Sequence, residues 1–153
     1  MDESEYRELY HSVNSLRCVF EKAMLTRRFN CENLVKINIA EREAAGCNHA
    51  ESQSQCQHLL GLLRMNAAFA LKISHASTGP LPHAKEIKVQ CGGLLGLQAC
   101  LHEDRENDTS VNNVHGLIRE AMQIYHDLEH FPYAEVAKGV SRFEGRKRKH
   151  RRS

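Results

Sequence analysis

The stretch CNHAESQSQC, residues 47–56, has a cysteine at each end and a histidine two places after the first. Thiolate sulfur and imidazole nitrogen are the ligands that hold zinc and iron–sulfur clusters, so this stretch is the natural start of a metal site. The chain has four further cysteines, Cys18, Cys31, Cys91 and Cys100. Three disulfides are arithmetically possible, but disulfide frameworks belong to small secreted domains. The first residues, MDESEYRELY, are acidic where a secretory signal needs a basic region and an apolar run. A cytoplasmic location with reduced thiols is therefore expected, leaving metal ligation, redox chemistry or simple burial as the fates of the cysteines.

The elements that must position these thiols read as helices. With 41% apolar residues, 26% charged residues and three prolines, the chain has the composition of one globular domain, expected over residues 1–144. No segment approaches the roughly 20 apolar residues of a membrane span. Tyr6, Leu9, Val13, Leu16, Phe20 and Met24 recur at three- and four-residue intervals and predict a first helix over 3–27. A second helix is expected from Asn30 to Gly46, with Leu34, Ile37, Ala44 and Ala45 inward. A third follows Asn48 and runs to about Ile73, a fourth covers about 82–102, a fifth starts near 110, and FPYAEVAKGVSRF adds a short last one. The fold class expected is all-α, an antiparallel bundle of four to five helices with a short C-terminal helix.

In an up-and-down bundle rising about 1.5 Å per residue, Cys18, Cys56 and Cys91 reach similar heights, with Cys47 about 10 Å lower. The ligand set expected is Cys47, Cys56, Cys91 and Cys18, with His49 or His58 as substitutes for one thiol. Cys56 and Cys91 lie on apolar faces, whereas Cys18 shares a side with Arg7, His11, Asn14 and Glu21. Cys31 is placed at a helix start far from the others, and Cys100 off the apolar face. Two residue types would support the site. Gly92 and Gly93 follow Cys91 in mid-helix at a cost of about 1 kcal/mol each, which either room for a cluster or a close helix crossing explains. Glu41 lies on the apolar face of the second helix, able to assist a metal or to pair with Arg64 or Arg17.

Enzyme motifs are weak. HDLEH at 126–130 matches the H-x-x-E-H zinc-hydrolase pattern, but both histidines fall on the polar side of the fifth helix. Glu8 and His11 form one Glu-x-x-His pair where a di-iron bundle needs two. An ordinary enzyme is therefore not the expectation.

The tail, residues 145–153, holds Arg146, Lys147, Arg148, Lys149, Arg151 and Arg152. These six charges within an overall +2 leave the rest of the chain at −4. Such a run repels itself and is expected to be disordered until it meets an anion, with nucleic acid the first candidate and an anionic membrane surface or acidic protein behind it.

Two functions fit. In one, the protein binds an iron–sulfur cluster, favoured slightly over structural zinc because the cysteines are not in close pairs, and serves electron transfer, sensing or the assembly of a protein partner. In the other, the cysteines are packing residues and the protein is a metal-free adaptor that binds anionic partners through its tail.

Overall fold

The computed structural model describes residues 2–73 and 77–144. Its described residues form six α-helices and one two-stranded antiparallel sheet, so the architecture is mixed α and β rather than an all-α bundle. The tail residues 145–153 lie outside the described part.

The expected first helix is split. Helix α1 spans Glu3–Val13, capped by Asp2, whose Oδ1 accepts from the Glu5 N–H at 2.8 Å. It ends because Asn14 is committed elsewhere: its buried side chain donates to the Ala45 carbonyl at 3.1 Å. The chain then runs alongside the hairpin, with Cys18 N–H bonded to Ala45 O at 3.0 Å and Cys47 N–H to Leu16 O at 2.8 Å. One further turn, α2, covers Glu21–Met24. Helix α1 buries none of its own residues, and Leu9 and Val13 are exposed, whereas Phe20, Ala23 and Met24 enter the core.

The expected second helix is a hairpin of β1 (Leu34–Ile39) and β2 (Arg42–Cys47). In LVKINI, β-branched Val35, Ile37 and Ile39 alternate with other residues, the period of a strand. The register pairs Ile39 with Arg42 and Leu34 with Cys47, leaving Ala40 and Glu41 as a two-residue loop. Ala40 takes φ 56, the positive value that such tight loops demand at their first position. Gly46 lies on β2 rather than at a helix end. A Cβ there would stand 2.7 Å from the Asn14 side chain, so the glycine allows the segment after α1 to approach.

Helix α3 spans Ala50–Asn66, α4 His83–Leu101, α5 Val114–Tyr125 and α6 Tyr133–Arg142. Helix α4 is the centre of the molecule, burying residues on every side, among them Val89, Cys91, Leu94 and Leu97. Leu59, Leu60 and Leu63 of α3, Ile118 of α5 and Val136 of α6 complete the core. Helices α4 and α6 cross at near backbone contact: a Cβ on Gly96 would meet Val136 O at 2.4 Å, and one on Gly92 would meet Val140 Cα at 2.6 Å.

Candidate functional site

Four cysteines gather where the hairpin meets the segments on either side of it. Cys18 lies in the turn before α2, tied to β2 through its N–H bond to Ala45 O. Cys47 ends β2 and faces Leu34 across the ladder. The Leu34 N–H bonds to Cys31 O at 3.0 Å, which holds the Cys31 turn beside the same end of the hairpin. That turn is also anchored from the segment before α5: Asn30 N–H bonds to Val111 O at 3.0 Å, and the Asn113 side chain accepts from Glu32 N–H at 3.0 Å. Cys56 comes from the second turn of α3, which is joined to the Cys18 segment by the Gln53 side chain donating to Arg17 O at 3.2 Å. All four thiols are free and half-buried.

The four thiols also influence one another's charge. Burial pushes the Cys56 thiol up to about 12, and the charges of Cys18, Cys31 and Cys47 add to the rise. Cys18 is likewise pushed up to about 12, first by burial and then, against a bond from the Phe20 backbone, by Cys31, Cys47 and Glu21. Neutral thiols of this kind are poor nucleophiles, because the thiolate is the reactive form. A cation placed among them reverses the situation, since a coordinating thiol is deprotonated outright and the mutual repulsion becomes attraction to a common centre. As the side chains stand, no three Cys, His, Asp or Glu residues among those described converge closely enough to hold an ion. Metal binding would therefore have to draw the sulfurs inward.

Of the expected ligands, the structure brings Cys18, Cys47 and Cys56 together and leaves Cys91 apart. Cys91 is fully buried on α4, and its charged neighbour is Arg28 rather than another thiol. Gly92 and Gly93 face α6 and Leu63 of α3, where they permit close packing. Glu41 is exposed in the hairpin loop, and the arginines proposed to pair with it bind other acids: Arg64 holds Glu86 at 2.8 Å and Arg17 holds Glu21 at 3.3 Å. His49 caps α3, its Nδ1 accepting from Ser52 N–H at 3.1 Å, and His58 pairs with Glu129 at 2.6 Å. The tail residues Arg146, Lys147, Arg148, Lys149, Arg151 and Arg152 lie outside the described residues.

Two members of the neighbourhood are not apparent from helical periodicity. Cys31 is remote if residues 30–45 are a helix and adjacent if they are a hairpin; the alternation of Val35, Ile37 and Ile39 is the signal that separates the two. Glu21 replaces Glu41 as the carboxylate beside the thiols, and no sequence pattern marks it.

The zinc-hydrolase pattern loses its geometry. Helix α5 stops at Tyr125, His126 takes φ 74, and His130 lies in a separate 3-10 turn bonded to Asp127 at 2.8 Å. Glu8 and His11 are exposed on α1. A cleft of about 1080 Å³ opens between α4, α6 and the loop 106–109, but no cysteine lines it. Its rim mixes Arg28, Lys88 and Arg142 with Glu106, Asp108 and Glu144, so it favours neither sign of ligand charge. No helix among the described residues is long and apolar enough to cross a membrane. Comparison with protein-family models, with curated proteins and with solved structures yields no match.

Proposed function

We propose that the protein carries a cysteine-ligated metal centre held by Cys18, Cys31, Cys47 and Cys56, with an iron–sulfur cluster favoured slightly over structural zinc. The observation that supports this reading is that four free cysteines from separate segments lie about one end of the hairpin. Twelve, fifteen and eight residues separate successive members of the set. Zinc sites are usually built from close pairs such as C-x-x-C, so widely spread ligands favour a cluster. Three of the four sit in turns or at a strand end, backbone that can move inward more readily than the interior of a helix. Binding would then contribute to folding, as it does wherever a site is completed only by its metal. A centre of this kind suits electron transfer, sensing or the assembly of a partner, and the basic tail, on charge alone, suits an anionic partner such as nucleic acid.

Anaerobic purification with measurement of the visible spectrum, iron, sulfide and zinc tests the reading. One centre per chain is expected, lost or altered when Cys18, Cys31, Cys47 or Cys56 is changed to serine. A folded, colourless protein that takes up neither zinc nor reconstituted iron and sulfide would overturn it.

A further inference from the structure

We infer that Glu21 is the positioning residue of the metal centre, clamping the turn that bears Cys18 to the strand that ends in Cys47. This inference rests on the four-cysteine reading. Glu21 is a buried carboxylate, 8% exposed, and such a group is retained only when its oxygens are satisfied. Its Oε2 accepts from the Ala45 backbone N–H at 2.8 Å, two residues before Cys47. The Tyr10 hydroxyl donates to the same carboxylate at 3.1 Å, and Arg17, beside Cys18, approaches it at 3.3 Å. The Glu21 N–H in turn bonds to Cys18 O at 3.2 Å. One side chain thus joins the residue before Cys18, the strand before Cys47 and the last turns of α1. Charge-assisted bonds of this kind are short and directional, so they fix spacing as well as contributing energy.

Burial and the Glu21 charge push the Tyr10 hydroxyl up to about 12, so it serves as a donor to the carboxylate. Around the clamp, Asn14 donates to Ala45 O, the Cys47 thiol donates to His49 O at 3.3 Å, and Cys31 and Cys47 act on Cys18 through their charge. Removal of a residue that orients a metal ligand typically costs 10- to 100-fold in metal affinity. Glu21→Ala should therefore release Cys18 from its position, whereas Glu21→Gln, which can still accept from Ala45 N–H, should restore most of the loss.

Cobalt(II) titration of the full chain is the test, because thiolate-to-cobalt charge-transfer absorption reports how many sulfurs bind. The wild-type protein should give a four-thiolate band. Glu21→Ala should bind cobalt about 10- to 100-fold more weakly and lose about a quarter of the band, as Cys18→Ser does, with unchanged far-ultraviolet circular dichroism. In a Cys18→Ser background, Glu21→Ala should have no further effect on affinity. A wild-type protein without the band overturns the metal-centre reading itself. A wild-type band that Glu21→Ala leaves intact, or a loss that persists undiminished in the Cys18→Ser background, overturns only the role of Glu21. If Glu21→Ala does not fold, Glu21→Gln carries the same comparison: a smaller weakening that vanishes in the Cys18→Ser background supports the role, and one that persists overturns it.

Discussion

On the proposed reading, Cys31 and Cys91 take the two fates open to a free cysteine. Cys91 has no exposed surface and belongs to the same core cluster as Val89, Leu94 and Val140, so it acts as a small apolar side chain. Cys31 is half-buried in a turn pinned from both sides and lies within reach of the charges of Cys18 and Cys56. The two serine variants should behave oppositely. Cys91→Ser puts a hydroxyl into an apolar site and should cost about 1–3 kcal/mol in urea unfolding while leaving metal content unchanged. Cys31→Ser should leave the metal-free protein close to wild-type stability and remove one sulfur from the loaded centre. Equal loss of metal from both variants would refute this division. Helical periodicity correctly sets Cys91 on an inward face, but an inward face of a buried helix is where a thiol packs, and packing is no sign of ligation.

At the scale of elements, the sequence discloses those whose pattern is local. Helix α4 spans His83–Leu101 against an expectation of about 82–102, and the segment FPYAEVAKGVSRF forms α6 as its spacing indicates. The hairpin is hidden because Leu34, Ile37, Ala44 and Ala45 recur at helical spacing, which competes with the strand alternation of Val35, Ile37 and Ile39. Tertiary bonds decide between the two: Asn14, Leu16 and Cys18 pair with β2 from outside the hairpin, and no local pattern records them. The glycines of α4 are legible only as a question, which α6 answers. At Gly96, alanine would gain about 1 kcal/mol of helix propensity, but its Cβ would meet Val136 O at 2.4 Å, and backbone cannot rotate aside. Gly96→Ala should therefore be destabilising by about 1–3 kcal/mol in denaturant unfolding, the cost of overpacking. The join between α3 and α4 depends on pH. Burial tends to raise the Glu86 carboxyl, but bonds from Arg64, Gln90 and the Leu81 N–H outweigh it and hold the group below its ordinary value. A depressed carboxyl stabilises the fold above its unfolded pKa, near 4.3, and that stability is lost as pH falls through the folded value. Glu86→Gln should thus be less stable than wild type above about pH 5, with the gap narrowing as pH falls below about 4; a gap independent of pH would show that the charge is not responsible.

The whole molecule is unevenly held. Its dense part is the packing of α3, α5 and α6 around α4, where fully buried Leu59, Val89, Leu94, Ile118 and Val136 lie. Residues 2–47 are looser at their outer elements: Phe20, Ala23, Phe29 and Ile39 enter the core, but α1 buries nothing of its own and β1 exposes Val35 and Lys36. All four proposed ligands fall between residues 18 and 56, so a centre there would join residues 18–47 to α3 and draw no ligand from α4, α5 or α6. Regions with few buried contacts open locally at low free energy, and a ligand that binds only the closed form stabilises it in proportion to its binding. Hydrogen exchange followed by mass spectrometry, with and without removal of the metal by chelation, should show this division. Amides of 14–20 and 31–49 should exchange at least tenfold faster without metal, whereas those of α4 and α6 should exchange at unchanged rates. Because a tenfold change corresponds to about 1.4 kcal/mol, this is a small fraction of what a tightly held structural metal supplies. Uniform loss of protection across α4 and α6 would mean that the metal supports the whole fold and not the hairpin region alone. No change at 31–49 would mean that the hairpin closes on its own bonds, and the inward movement required of the four sulfurs would then have no structural consequence.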